Sequence, residues 1–334
     1  MFAKQSGPGL KDIAEKAGLA IPTVSLILNG RSNNYISAKT RERVLAIARE
    51  LKYRPRFSGK LISGQRTRTA AIVLTQAIHI AEPHLQELVL NLIGRLEGME
   101  YAAYVATLGR DPIAQLGNLA DRGCEAFVLI GRMDDAEAAT ELFRQRRLSY
   151  IGYNSNLDRS VDSETPVGVA ALLRHFLDCG RTDFKMFLLA EAEGFAPNSR
   201  SAALLHLFPD DADAALRSDR ILFMADAGAD APSRFEAGFA ATHTLVSSVP
   251  RPGALFYHTD HHALGGIKAL SEAGLRVGTD VLVAGYNNIE AMRWLPFPAS
   301  SAAPDLERLA PALLSELLGE GPCRRRIEPK VFLR

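Results

Sequence analysis

The sequence predicts a small all-α head followed by a two-lobed α/β core in which each lobe is a doubly wound parallel sheet. Charge separates the two parts: residues 1–66 carry 13 Lys and Arg against 4 Asp and Glu, a formal charge of +9, and the rest of the chain carries −8. Apolar residues follow helical spacing in the head, whereas short apolar runs alternate with amphipathic segments after residue 70. The two parts therefore face different partners, and a basic head is typical of a segment that contacts a polyanion.

Composition excludes several classes of protein. The chain has 334 residues, 47% hydrophobic and 23% charged, which favours a folded globular protein over a disordered or collagenous one. No apolar run approaches the roughly 18 residues that cross a bilayer, and no apolar export signal follows the first residues. The three cysteines, Cys124, Cys179 and Cys323, are far from metal-ligand spacing. We expect a cytoplasmic protein with no membrane segment, no metal and no cofactor.

Three short helices are predicted in the head. Apolar spacings of three and four mark the first helix, at Leu10, Ile13, Ala14 and Ala17. Gly18 ends this helix, and the second one carries Pro22 in its first turn, where a missing N–H is tolerated. Ser37 caps a third helix from Ala38 to about Leu51. Helix, tight turn and helix form the helix-turn-helix pattern, whose second helix fits a DNA major groove.

The core is predicted from its alternating strands and helices. Strand-like runs occur at 71–74, 102–107, 126–130, 149–152, 185–189, 221–224, 254–257 and 282–284, with a last strand at 328–333. Amphipathic helices between them indicate parallel sheets covered by helices. Ligands of such sheets bind beyond the carboxyl ends of the strands, so the cleft between the lobes is the predicted pocket. We assign residues 69–157 and 289–319 to lobe 1, and residues 158–288 and 320–334 to lobe 2.

Segments of both parts match one family pattern in the same order. They are residues 10–18 (LKDIAEKAG), 23–25 (TVS), 29–30 (NG), 37–41 (SAKTR), 51–55 (LKYRP), 275–278 (LRVG) and 283–288 (VAGYNN). With these segments the chain resembles the LacI/GalR (lactose-repressor-like) family over essentially its whole length. The resemblance implies a helix-turn-helix domain at 1–54, a hinge helix or linker at 55–68 and a periplasmic-binding-protein-like core at 69–334.

The function implied by the resemblance is transcriptional regulation, most simply repression. A homodimer would bind double-stranded operator DNA with its two heads, and a small polar effector, a sugar or sugar derivative bound between the core lobes, would control the affinity for operator.

The resemblance also implies which residues contact DNA. On the recognition helix, Ile21, Pro22 and Leu26 would face bases, and Thr23, Ser25 and Asn29 would reach phosphates or base edges. Leu26 stands where many family members carry an arginine, so its readout would depend on thymine methyl groups and DNA shape. Packing in the head core is the alternative for Ile21 and Leu26. Further predicted DNA contacts are Ser37, Thr40, Tyr53, Arg56, Gly59 and Ile62. Of these, Ile62 would be the wedge in the minor groove, and Gly59 would weaken a hinge helix by about 0.5–1 kcal/mol.

Effector contacts are predicted in both lobes at Gln76, Ile80, Glu82, Tyr153, Asn154, Arg200, Asp260 and Asn287. Arg200 and Asp260 match effector-contacting positions of the family, and a guanidinium that donates opposite a carboxylate that accepts suits a polyol. A surface salt bridge is the alternative for Arg200, and solvent exposure is the alternative for Glu82. Three histidines around Asp260, at positions 258, 261 and 262, could suggest a metal site, but side chains on a strand-to-helix turn would diverge. We therefore expect residues 258–262 to be loop and helix-entry residues near the cleft, with His261 in contact with the effector.

Two other functions compete with regulation. An enzyme would need a catalytic constellation, and the sequence contains no dinucleotide, phosphate-loop, nucleophile-elbow or zinc-protease motif. We therefore expect no enzymatic activity. A periplasmic-type sugar-binding protein, or another small-molecule sensor without a DNA role, would share the two lobes, but the +9 head and the absence of an export signal oppose this alternative.

Overall fold

The computed structural model describes residues 8–29, 36–53, 66–76, 82–189, 198–211, 219–224, 233–248 and 253–334. Four predicted contacts, Arg56, Gly59, Ile62 and Ile80, lie outside the described residues. The chain divides into two units, Met1–Thr67 and Arg68–Arg334. The predicted fold class is confirmed, because the described residues of the first unit form three helices and those of the second unit form an α/β core with two sheets.

The head consists of α1 (Leu10–Ala17), α2 (Ile21–Leu28) and α3 (Ala38–Glu50) around one small apolar core. Ile13, Val24 and Val44, one from each helix, have no exposed surface. Gly18 ends α1 in the left-handed region at φ 61°, which glycine adopts without steric penalty. Ser37 caps α3 as predicted, because its Oγ accepts the Thr40 N–H at 3.1 Å. The three helices therefore pack against one another around a shared core.

The described strands of the first core sheet are β1 (Thr69–Leu74), β2 (Ala102–Thr107), β3 (Ala126–Ile130), β4 (Ser149–Tyr153), β5 (Arg159–Ser163) and β11 (Cys323–Ile327). They pair in parallel, in the order β11-β5-β4-β3-β1-β2. One face packs on α4 (Pro83–Gly98) and α12 (Leu306–Leu317). The other face packs on α5 (Pro112–Asp121) and α6 (Ala136–Gln145). Helices on both faces make lobe 1 doubly wound, as predicted.

The described strands of the second sheet are β6 (Lys185–Leu189), β7 (Ile221–Met224), β8 (Ala254–Tyr257), β9 (Leu282–Tyr286), β10 (Ser300–Ala303) and β12 (Lys330–Phe332). They have the order β12-β10-β9-β8-β6-β7, and among them only β12 is antiparallel to its neighbour. The helices on the two faces of this sheet are α7 (Thr165–Asp178) with α8 (Ala203–Leu207), and α9 (Arg234–Ser248) with α10 (Asp260–Glu272). A short helix, α11 (Glu290–Arg293), follows β9.

The predicted lobe boundaries were wrong for three strands. We assigned β5 and β11 to lobe 2 and β10 to lobe 1, but β5 and β11 belong to the first sheet and β10 to the second. These strands are short and carry charged or small residues, so they lack the apolar runs that mark the buried strands. The chain therefore passes between the lobes after β5, after β10 and after β11. In the described part of the chain, no helix is long and apolar enough to span a membrane.

Candidate functional site

The exposed surface of α2 is the first candidate site. Ile21 is 44% exposed and Leu26 is 39% exposed, whereas Val24 and Ile27 fill the head core. Core packing, the alternative for Ile21 and Leu26, is therefore excluded. Pro22 is also exposed, in the first turn of the helix. Three large or rigid apolar side chains thus face outward from a helix in a basic unit, an arrangement suited to contact with base methyl groups.

The remaining predicted head contacts lie around this helix and at the start of α3. Thr23 and Ser25 are half-buried, and exposed Asn29 donates through Nδ2 to Ser25 Oγ at 3.2 Å. Ser37 and Thr40 share the α3 cap, with their hydroxyl oxygens 2.8 Å apart. Tyr53 is half-buried against the head core. Local hydrogen bonds therefore hold the side chains of Asn29, Ser37 and Thr40 in place.

A cavity of about 310 Å³ in the core is the second candidate site. It lies where the carboxyl ends of both sheets meet, beside the passages after β5 and β10. Residues of both lobes line it: Glu82, His84, Leu85, Ile130, Gly131, Arg132, Tyr153, Asn154, Ser163, Thr165, Leu189, Asn198, Ser199, Arg200, Arg234, His258, Thr259, Tyr286, Asn287 and Pro304. This is the position predicted for a ligand of an open α/β sheet.

An ion pair joins the two lobes across this cavity. Glu82 immediately precedes α4 of lobe 1, and its carboxylate pairs with the guanidinium of Arg234, the first residue of α9 in lobe 2. Glu82 is only 7% exposed, so the solvent-exposed alternative is excluded for this residue. His84 Nδ1 lies 3.9 Å from the same carboxylate. Burial lowers the pKa of the Arg234 guanidinium from its ordinary value.

Hydrogen bonds reinforce the contact between the lobes. The hydroxyl oxygens of Ser163 at the end of β5 and Tyr286 at the end of β9 are 3.3 Å apart. Asn198 Nδ2 of lobe 2 donates to the Ser163 carbonyl at 2.9 Å. The Arg200 guanidinium lies 4.9 Å from the centre of the Tyr286 ring, a cation–π distance. Arg200 is thus held in the cavity lining.

Two histidines near the cavity remain neutral at pH 7. Burial and then the Arg200 charge hold the pKa of His258 well below its ordinary value. Burial and then the Arg234 charge lower the pKa of His262 to about 3. His262 Nδ1 lies 2.7 Å from Thr259 Oγ1. The His261 side chain is half-buried and does not line the cavity. No group of three His, Cys, Asp or Glu residues suited to a metal ion occurs among the described residues.

Two predicted effector contacts do not reach the cavity. Gln76 is exposed and lies outside the lining. Asp260 is fully buried at the start of α10, where its carboxylate accepts Ser301 Oγ–H at 2.8 Å and the Ile289 N–H at 2.8 Å. A Cβ at Gly285 would overlap this carboxylate, so the bare backbone of β9 allows Asp260 to pack inward. The prediction of Asp260 and Gln76 as effector contacts is therefore wrong, whereas Glu82, Tyr153, Asn154, Arg200 and Asn287 do line the cavity.

Several lining residues were missed by the sequence analysis. Arg132 follows β3, so the rule that ligands bind at strand carboxyl ends could have found it. His258 and Thr259 follow β8 and line the cavity, and they belong to the turn that we expected near the cleft. To predict Ser163 and Thr165, β5 would have to be recognised as a strand, although polar residues alternate along it. Arg234 starts a helix and has no strand-end signal.

Comparisons with known proteins match both parts of the chain. Residues 9–56 match the family model for bacterial regulatory proteins, lacI family, and residues 173–332 match that for the periplasmic binding protein-like domain. The chain is 21% identical to the probable HTH-type transcriptional repressor ExuR of Bacillus subtilis, over 90% of this chain and 88% of that protein. It is 24% identical to the ribose operon repressor of Haemophilus influenzae, over 92% of this chain and 90% of that protein.

A solved structure of similar fold is the lac repressor dimer bound to operator and the anti-inducer ONPF. Its TM-score is 0.74 at 22% identity, and the match covers 98% of each chain. The similarity therefore extends over the head and both lobes.

Proposed function

Because the chain belongs to the lacI family of bacterial regulatory proteins, we propose that it is a DNA-binding transcriptional repressor controlled by a small polar effector. Residues 1–54 bind operator DNA, residues 55–68 form the hinge, and the core from residue 69 binds the effector and forms a homodimer. The operator lies in the cytoplasm, and so does this protein.

The observation that carries the DNA-binding role is the exposed face of α2. Ile21, Pro22 and Leu26 project from a helix whose opposite face, with Val24 and Ile27, is fixed in the head core. The surrounding segment has a formal charge of +9, which supplies attraction to phosphates independent of sequence. The apolar contacts add discrimination between bases.

The core supports binding of a ligand rather than catalysis. The Glu82 carboxylate is paired with Arg234, and His258 and His262 are held neutral by burial and neighbouring arginines. Uncharged donors and acceptors dominate the rest of the lining. These features suit recognition of hydroxyl groups, and we assign the protein no enzymatic activity.

We propose that effector binding changes how the lobes are held together. The ligand would meet both partners of the Glu82–Arg234 ion pair and the Ser163–Tyr286 contact, so its binding alters the relative energy of lobe arrangements. In a dimer, this change would alter the spacing of the hinges and thus the affinity for operator. By linkage, operator must change effector affinity by the same factor.

DNA binding is tested with fluorescence anisotropy on a duplex selected by the protein from random sequences. The wild type is expected to prefer this duplex over a scrambled one by about 10³-fold or more, with affinity falling steeply as salt rises. Leu26→Ala should reduce this preference, while Leu45→Ala, a matched side chain 38% exposed on α3, should not. Equal binding of selected and scrambled duplexes by the wild type would overturn the proposed function.

A further inference from the structure

The charges lining the core cavity are unequal. Among the described residues, the lining holds three guanidinium groups, from Arg132, Arg200 and Arg234, and one carboxylate, from Glu82. The expected second carboxylate, Asp260, is buried elsewhere in hydrogen bonds to Ser301 and Ile289. The lining therefore carries a formal excess of two positive charges.

The arginines are placed to act on a ligand in different ways. Arg234 shares its charge with Glu82 between the lobes. Arg200 is half-buried and stacked on Tyr286. Arg132 follows β3, is exposed, and makes no ion pair or hydrogen bond within the described part of the chain. Its guanidinium is therefore available at the cavity to a charged group from outside.

Two buried histidines near the cavity, His258 and His262, are affected by the charges of these arginines. The charges of Arg200 and Arg234 both lower the pKa of buried His258, and both also lower the pKa of His262. Burial is the largest cause of both shifts, and the two arginine charges add to it. A ligand that brought a negative charge would offset the formal excess of positive charge in the described lining.

The rest of the lining suits hydroxyl groups. Asn154, Asn287, Thr165, Ser163 and Tyr153 provide uncharged donors and acceptors. A cavity of about 310 Å³ is at the small end of the range for ligand sites, which favours one small ring or chain over an oligomer.

We infer that the effector is a small polyhydroxylated anion, such as a sugar acid or a sugar phosphate, whose acid group binds Arg132 and Arg200. Its hydroxyl groups then contact the asparagines, and Glu82 accepts from one of them. Carboxylate and phosphate share the geometry that a guanidinium binds through two parallel hydrogen bonds. This inference rests on the proposed function, because it names the class of molecule that would control repression.

The test compares neutral sugars with their acids on the full-length protein. Thermal unfolding is measured with glucose, gluconate, glucuronate and glucose 6-phosphate, and with galactose, galactonate and galacturonate, at constant ionic strength. At least one anion should raise the Tm by binding the folded state, and its neutral parent should raise it less. Comparing the Tm shifts of the aldonates and uronates with that of glucose 6-phosphate distinguishes a carboxylate from a phosphate as the group that is bound.

Arg132→Gln tests the placement of the charge. This variant should bind the stabilising anion about tenfold or more weakly, by loss of a charge-assisted hydrogen bond, and should retain its affinity for the neutral parent. Arg110→Gln, which removes an exposed arginine outside the cavity, should bind the anion as the wild type does. Anions that raise the Tm of wild type and Arg132→Gln equally bind elsewhere, the basic head included, and would overturn the inference.

The remaining outcomes separate this inference from the proposed function. Neutral sugars that stabilise the protein as much as their acids, or a panel in which no anion shifts the Tm, would overturn the inference while selective operator binding still supports a repressor. Stabilisation by an anion that depends on Arg132, in a protein that binds no duplex selectively, would support an anion sensor and overturn the repressor.

Discussion

The Glu82 carboxylate of lobe 1 and the Arg234 guanidinium of lobe 2 form an ion pair across the core cavity. Glu82 is nearly fully buried, so its carboxylate depends on Arg234 for a counter-charge, whereas Arg234 retains partial exposure to solvent. The pair joins the start of α4 to the start of α9. Any ligand in this cavity therefore meets the contact that links the lobes.

Removing one partner of this pair should destabilise the core. Arg234→Gln leaves the Glu82 charge buried without its partner, and we expect the free energy of unfolding to fall by about 2 kcal/mol, less than for a fully buried pair. Glu82→Gln combined with Arg234→Gln should recover part of this loss. Chemical denaturation of both single variants and the double variant measures the coupling energy between Glu82 and Arg234. Strictly additive changes in the free energy of unfolding would contradict this coupling.

The same glutamate should oppose an anionic ligand. Glu82→Gln removes the only carboxylate of the described lining and leaves its arginines, so the affinity for a stabilising sugar acid should rise by about three- to tenfold. Isothermal titration of wild type and variant gives this ratio. A weaker affinity in the variant would show that Glu82 contributes more through hydroxyl contacts than it opposes through charge.

Asp260 should make the stability of the core depend on pH. Burial raises the pKa of its carboxyl to about 7, so the folded state holds a proton that the unfolded state releases from about pH 4 upward. This contribution to stability is fully present below pH 4 and is lost as pH rises through 7. The Tm of Asp260→Asn relative to the wild type should therefore increase between pH 4.5 and 8. A difference that stays constant over this range would be inconsistent with a buried, protonatable Asp260.

His262 should have the opposite dependence. Its pKa in the folded state is lowered to about 3, so the stability of the neutral form is fully present above about pH 6.5 and is lost as pH falls. Wild type is expected to lose up to about 1.4 kcal/mol per pH unit from this group below pH 6.5. His262→Asn should lose stability less steeply on acidification. If the stability of the two proteins changed with pH in the same way, this would contradict a lowered pKa of His262.

Gly285 should be required for the buried position of Asp260. A Cβ at this residue would overlap the Asp260 carboxylate, so Gly285→Ala must displace a side chain held by Ser301 and Ile289. We expect a loss of about 1–3 kcal/mol, typical of overpacking in a core. Gly94→Ala, within α4, serves as a control for the loss of a glycine, since an added Cβ there would have no atom within 4 Å and the backbone is helical. Equal losses for the two variants would argue against a specific clash.

The sequence carries enough signal to predict the head and the buried strands but not the passages between the lobes. Helical spacing and the Ser37 cap place α3, and apolar runs place strands such as β3. β5 contains Arg159, Ser160 and Asp162, whose burial depends on tertiary contacts such as those of Arg159 with the Glu316 and Gly319 carbonyls. A linear pattern does not encode such contacts.

Strand ends made part of the candidate site predictable, and the family resemblance added Arg200. Tyr153, Asn154 and Asn287 occupy strand ends, and the cavity is where those ends meet. Asp260 also follows a strand, but a single glycine on the neighbouring strand decides that its side chain packs inward. Arg234 reaches the cavity from the start of α9 in lobe 2 and pairs with Glu82 of lobe 1. This contact depends on how the two sheets face each other.

We propose that a ligand in the core cavity and an operator duplex bind to linked states of one protein. The most direct measurement is the operator Kd by fluorescence anisotropy, without ligand and with a saturating concentration of the most stabilising sugar acid. We predict a change of about fivefold or more, and the same factor in the Kd for the sugar acid with and without operator. Identical operator affinities in the two conditions, for a protein that binds both ligands, would contradict the claim.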